Sequence, residues 1–144
     1  VAGFLLAQEF AIRPFLAHHP DRTFTRLYQW MNDSDSHVRR LCTEGTRPRL
    51  PWAKKLVSLA DDPSPSFPIL ENLKEDPELY VRRSVANHVG DIAKDHLHLA
   101  LDLCEKWLDE GKASVELRWV IRHALRNPAK RKVKRALELR LLAK

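Results

Sequence analysis

Cysteine is scarce: Cys42 and Cys104 are the only two. They lie far apart within apolar helical patterns and match no CxxC, zinc-ligand or disulfide-scaffold spacing, so two buried free thiols in a reducing compartment are expected. Long apolar runs are missing as well. None reaches the ~18 residues that a membrane span needs, and the opening VAGFLLAQEF is too short and wrongly flanked for a signal peptide. A soluble, cytoplasmic protein with no membrane partner is expected. Aromatic residues make up only 8% of the chain, and no stretch of useful length alternates as a half-buried strand does. What is present suffices for a core, because 44% hydrophobic residues against 31% charged ones exclude a disordered tail. At 144 residues the chain has the size of one domain or of a short repeat array. It begins with Val1 inside an apolar helical pattern, with no cap before it, as a fragment does.

Acidic residues are depleted at one end. The net charge is +6, yet from Lys112 to Lys144 there are eleven basic and two acidic residues, so the remainder of the chain is slightly acidic. Lys130, Arg131, Lys132, Lys134 and Arg135 crowd together with no acid among them. Their mutual repulsion is relieved by a polyanion, and nucleic acid fits better than a membrane because the segment lacks bulky interfacial aromatics. The plainer reading is a solvated helical surface.

Three stretches share one pattern: SHVRRLCTEG from Ser36, LYVRRSVANH from Leu79 and RWVIRHALRN from Arg118. Aligning Val38, Val81 and Val120 gives separations of 43 and 39 residues, close to the period of HEAT or armadillo helical repeats. Each copy follows turn-forming residues, NDSDS, EDPE and DEGKAS, as a second helix after a tight turn does. The expected architecture is all-α: a single HEAT-like repeat domain over 1–144, a superhelical solenoid lacking N-terminal repeats if the chain is a fragment. Helices are predicted near 3–17, 22–31, 35–44, 52–61, 68–75, 78–94, 97–110, 115–126 and 129–143, with Pro14 kinking or ending the first.

On the second helices, Val38, Leu41 and Cys42 share a face, as do Val81, Val85, Val89 and Ile92, and Val120, Ala124 and Leu125; these faces are core candidates. The pairs Arg40 and Glu44, Arg83 and Asn87, and Arg122 and Arg126 stand four residues apart, and equivalent helices of a solenoid align them into a column. The column reads either as repeat stacking, with arginines paired to acids of the next repeat, or as a phosphate track. In the loop from Gly45 to Pro51, Pro48 and Pro51 hold Arg47 and Arg49 in an extended geometry suited to presenting them.

The wording of SDSHVRRLCTEGTRPRLPWAKKL, LKEDPELYVRRSVANHVGDIAKDH and RWVIRHALRNPAKR resembles the HEAT-like-repeat DNA alkylation repair glycosylases, the AlkC type more than the AlkD type, over roughly residues 9–128. The resemblance implies a helical solenoid whose concave basic face holds duplex DNA and which hydrolyses the N-glycosidic bond of cationic alkylated bases such as 3-methyladenine. It implies no metal or organic cofactor and a monomer whose partner is duplex DNA containing alkylated bases. At matching positions, Glu9, Glu44 and Asp91 become the acids of the cleft and Trp52 its aromatic wall. Arg40, Arg47, Arg49, Arg83 and Arg122 become contacts to the DNA backbone, with Arg126 beside Arg122 in the column. Family members carry further repeats ahead of the point where this chain begins, and the end NPAKRKVKRALELRLLAK is more basic than the usual continuation.

The chemistry suits these residue types. A base alkylated on a ring nitrogen is already cationic and leaves readily, so the developing oxocarbenium character of the deoxyribose is what a fixed carboxylate must stabilise. An indole can stack on the sugar or the cationic base. Each candidate has a plain reading beside it: Glu44 pairs with Arg40, Asp91 lies on a solvated face near Asp95, Glu9 pairs with Arg13, and Trp52 packs between repeats, as Trp30, Trp107 and Trp119 are expected to do. Among His18, His19, His37, His88, His96, His98 and His123, no pair with a third ligand makes a zinc site, and His96 and His98 fall on different faces. Two other functions compete with the glycosylase: a noncatalytic DNA-binding module, and a protein-binding scaffold whose arginines recognise an acidic partner.

Overall fold

The computed structural model describes residues 11–51, 53 and 55–144. Helical punctuation in the sequence sets the elements. After a first stretch of helix, α1 (11–18), Pro20 opens α2 (Pro20–Trp30) at a position where its missing N–H is not needed. Asp35 caps α3 (Ser36–Glu44) by accepting from His37 N at 2.9 Å, and Ser114 caps α8 (Val115–Ala124) by accepting from Leu117 N at 3.1 Å. Between them lie α4 (Val57–Asp61), a single 3-10 turn (Ser64–Ser66), α5 (Phe67–Leu73), α6 (Leu79–Asp95) and α7 (Leu97–Asp109). The chain ends with α9 (Arg126–Lys130) and α10 (Lys134–Leu142). All regular structure among the described residues is helical.

The long helix α6 is the hub: it packs on α3, on α7 and on α8. The expected faces of the second and third repeats are core, with Val81, Val85, Val89, Val120 and Leu125 fully buried and Ile92 and Ala124 nearly so; Ile121 and Trp107 are buried with them. Trp30 and Trp119 are partly buried against the same core. Cys42 and Cys104 are buried free thiols. In the first repeat only Cys42 is fully buried; Val38 and Leu41 line an open groove with Ile12, Phe15 and Trp30 and are half-buried.

The repeat extends to individual hydrogen bonds. The first arginine of each VRR folds back over its own turn: Arg39 donates to the carbonyls of Asp33 and Ser34, and Arg82 to those of Asp76 and Pro77, six and five residues earlier in both copies. Arg39 also grips Asp76 of the next repeat through Nε and Nη2 at 2.7 and 3.1 Å, so the stacking reading holds for this arginine. The third copy has Ile121 at that place and buries it.

Three predicted helices are corrected. The first continues through Pro14 to residue 18. The helix expected at 52–61 starts only at Val57, after Leu56 in extended backbone. The helix expected at 129–143 is two. Lys132 turns left-handed at φ 64°, its N–H bonds the Ala129 carbonyl, and that of Val133 bonds the Pro128 carbonyl, the paired bonds of a Schellman stop. The break divides the basic run between α9, the turn and α10.

Candidate functional site

The site is built where α3 ends against the middle of α6. Gly45 follows Glu44 because nothing larger fits: a Cβ there would lie 2.8 Å from both Ile12 Cγ2 and the Leu41 carbonyl oxygen. Thr46 Oγ1 then donates to the Cys42 and Thr43 carbonyls at 2.8 and 3.2 Å, satisfying acceptors that the end of a helix leaves open. From α1, Arg13 Nη1 donates to the carbonyls of Gly45 and Arg47 at 3.0 and 2.7 Å and fixes the loop from behind.

So held, the loop turns Arg47 inward. Its Nε and Nη2 meet both oxygens of Asp91 side-on, at 2.9 and 3.1 Å, and Nη1 reaches Glu44 Oε2 at 3.1 Å. Arg47 is 8% exposed, Glu44 6% and Asp91 2%. Glu44 Oε1 accepts from Ser84 Oγ at 2.8 Å, and Oε2 also meets Arg40 Nη2 at 3.3 Å. Asp91 Oδ2 accepts in addition from the backbone N–H of Arg49 at 3.2 Å. Burial alone opposes the charge of Arg47, but its hydrogen bonds and the two carboxylates outweigh that, and its pKa is raised. Arg13 pays the opposite way: burial brings it down to about 10, against the pull of Asp91 and with a push from Arg47.

These contacts form one polar seam. Tyr80, Ser84, His88, Asp91 and Asp95 lie on one face of α6, four or three residues apart, beside its apolar face of Val81, Val85, Val89 and Ile92. Arg40 donates to Tyr80 Oη at 3.1 Å and lies 4.4 Å from the centre of its ring. His88 Nδ1 is 3.0 Å from the Thr43 carbonyl, to which it donates, and 3.2 Å from Thr43 Oγ1. His88 is fully buried and burial pushes its pKa down to about 4, so it is neutral at pH 7. Arg49, the exposed loop arginine, grips Asp95 through Nε and Nη2 at 3.0 and 2.7 Å, which lowers the Asp95 pKa.

Glu44, Asp91, Arg47 and Arg40 are therefore brought together, with Arg49 at the edge. Glu9 and Trp52 lie outside the described residues. The rest of the column lies one and two repeats further on. Arg83 is exposed and makes no ion pair among the described residues. Arg126 donates to the His123 carbonyl at 2.7 Å and to Asn87 Oδ1 at 3.4 Å, and Arg122 to the Ala143 carbonyl at 2.6 Å. His123 stacks on Trp119 with ring centres 4.9 Å apart, and burial followed by the charges of Arg126 and Arg83 lowers its pKa. Tyr80 and Ser84 were not singled out from sequence, Arg13 was considered only as a partner for Glu9 and His88 only as a metal ligand; the polar residues spaced by three and four along α6 carry the signal for Tyr80, Ser84 and His88. Among the described residues, no three His, Cys, Asp or Glu side chains gather as metal ligands. No helix among them is long and apolar enough to cross a membrane.

No family profile matches the chain. The uncharacterized protein YhaZ of Bacillus subtilis is 45% identical to it over 131 residues. The solved structure of the Pseudomonas fluorescens alkylpurine DNA glycosylase AlkC, bound to DNA containing an abasic site analog, is similar with a TM-score of 0.85 and 48% identity. Each match covers 91% of this chain and 36% of the other, so the chain spans about a third of the length of these relatives.

Proposed function

Because its repeats belong to the AlkC-type family of HEAT-like-repeat proteins, we propose that the chain carries the lesion-recognising part of a DNA N-glycosylase that excises cationic alkylated bases of the 3-methyladenine type from duplex DNA in base excision repair. The observation that carries this reading is the meeting of Glu44 and Asp91, from successive repeats, at one buried point. The likeness to a glycosylase solved on DNA supports it.

In this reading the alkylated base leaves without a strong general acid, since its ring already carries positive charge. Glu44 and Asp91 face the deoxyribose as the C1′–N bond lengthens, stabilise its oxocarbenium character and orient the attacking water. Of their oxygens, Asp91 Oδ1 and Glu44 Oε1 each accept a single hydrogen bond from the described residues and keep a further acceptor site for that task. Glu9 completes the acidic set and Trp52 stacks on the sugar or the base. Arg40, Arg49, Arg83, Arg122 and Arg126 hold the backbone on either side. The chemistry needs no cofactor, and the protein acts as a cytoplasmic monomer.

The test is release of methylated bases from alkylated duplex DNA by this chain, in the presence of chelator, with Glu44→Gln and Asp91→Asn alongside at a temperature where all three are folded. Release by the parent, lost in both variants while duplex affinity stays within about threefold, supports the reading, since the variants remove transition-state charge and no phosphate contact. A retained rate removes that carboxylate from the mechanism. The exposed Arg49 and Arg83, which can hold a backbone whether or not the acids act, favour one second reading, a noncatalytic DNA-binding module. Salt-sensitive duplex binding with no release decides for it.

A further inference from the structure

We infer that Arg47 is a positioning residue that sets Glu44 and Asp91 relative to one another and does not touch DNA phosphate. Its part in chemistry rests on the glycosylase reading above; its engagement with the carboxylates does not.

Three of its five N–H groups are already spent on carboxylate oxygens, and the donors span both acids: the Nε and Nη2 edge lies along Asp91 while Nη1 reaches Glu44. The planar fork fixes an angle as well as a distance, so the two carboxylates, from helices of successive repeats, are locked in orientation by one rigid group. Arg47 is only 8% exposed, and swinging it out to a phosphate would break its contact with Asp91, which is 2% exposed, and strand a buried charge. The loop opposes that movement, because Arg13 holds the carbonyls of residues 45 and 47 and the Arg49 N–H holds Asp91. Phosphate has better-placed partners in the exposed Arg49 and Arg83. Proline on either side of Arg49 had suggested that both loop arginines are presented; the carboxylates beneath draw one of them in.

The experiment follows the arginine Nε–H signals of the whole, uniformly 15N-labelled chain, alone and with alkylated duplex. In the free chain the Arg47 signal is expected to be resolved and slow to exchange with water; rapid exchange overturns the inference. On adding duplex it is expected to stay in place while signals of exposed arginines move, and a shift confined to Arg47 overturns it as well. In parallel, Arg47→Lys and Arg47→Gln are expected to keep duplex affinity within about threefold and to leave the salt dependence of binding unchanged, whereas a lost phosphate contact lowers that slope by about one. With saturating duplex, the single-turnover excision rate falls about thirtyfold or more in Arg47→Gln and is partly restored in Arg47→Lys, the signature of orientation lost at constant binding. If the unaltered chain releases no base, the glycosylase reading fails, and the exchange and salt measurements still decide for or against the carboxylate clamp. If Arg47→Gln does not fold, the signals of the unaltered chain and the Lys variant carry the decision.

Discussion

Asp91→Asn changes one oxygen to an amide nitrogen at a position that is 2% exposed. The aspartate accepts from Arg47 Nε and Nη2 and from the Arg49 N–H, at 2.9, 3.1 and 3.2 Å. An asparagine oxygen can keep the side facing Nε and Arg49, but its NH2 then meets the Nη2 donor head-on, and the buried guanidinium is left with Glu44 as its remaining ion partner. Breaking a buried pair from one side costs about 3–5 kcal/mol, and the retained hydrogen bonds put this case near 3. That is a large share of the ~5–15 kcal/mol that holds a domain together. With a urea slope of about 2 kcal/mol per molar, the midpoint of unfolding, followed by circular dichroism, falls by about 1.5 M. Arg135→Gln, which removes exposed pairs to Asp102 and Glu105, serves as the control and leaves the midpoint nearly unmoved. The double variant Arg47→Met, Asp91→Leu leaves no unpaired charge from this pair and recovers about 2 kcal/mol over the single one. A loss below about 1 kcal/mol for Asp91→Asn, or a double variant no better than the single, would refute the argument that the pair behaves as a buried one.

Acid should weaken the fold through His88. Its folded pKa of about 4 lies below the ordinary 6.5, so the unfolded chain takes up the proton first, and stability present above pH 6.5 is lost as pH falls towards 4. A gap of that size is worth about 3 kcal/mol, and His88→Gln, which cannot charge, removes this part of the pH dependence in urea titrations. Two glycines separate by sign: Gly45→Ala, blocked by Ile12 and the Leu41 carbonyl, costs about 1–3 kcal/mol. Gly90→Ala, whose new methyl meets only the Ala124 carbonyl at 3.5 Å, gains about 0.5–1 kcal/mol from helix propensity. Lys132→Gly relieves a left-handed lysine and raises the melting temperature by about 2 °C or more in calorimetry.

The helical class and the repeat were legible in the sequence because stacking demands the same residues in each copy. Val81 and Val120 are buried at the aligned positions, and the turns before them fall where Asp, Pro, Gly and Ser punctuate the chain. The stop at Lys132 was hidden, since the left-handed position that usually calls for glycine is held by lysine. The late start at Val57 was hidden behind a Pro-Trp pair that resembles a helix start. At the site, the resemblance pointed to Glu44 and Asp91, yet local spacing alone suggested a solvated Asp91 beside Asp95. What places Asp91 inside is a partner 44 residues away, Arg47, and no local pattern reports that. The same distance hides His88, whose hydrogen bonds go to Thr43 on another helix.

The seam between α3 and α6 joins residues 40 to 46 positions apart, from Arg40 and Tyr80 to Arg49 and Asp95. Its order of assembly follows from that separation. Isolated helices form in well under a millisecond from local contacts, but these partners meet only after the chain through α4 and α5 has closed a long loop, and their charges stay hydrated until then. Apolar faces, which attract without demanding an angle, can dock earlier. The polar seam is thus expected to close after the main folding barrier, so substitutions within it speed unfolding more than they slow folding. The part of the molecule that carries the acids is then the last to be made and the first to be lost, and its lifetime, more than the stability of the array as a whole, sets how long the site persists.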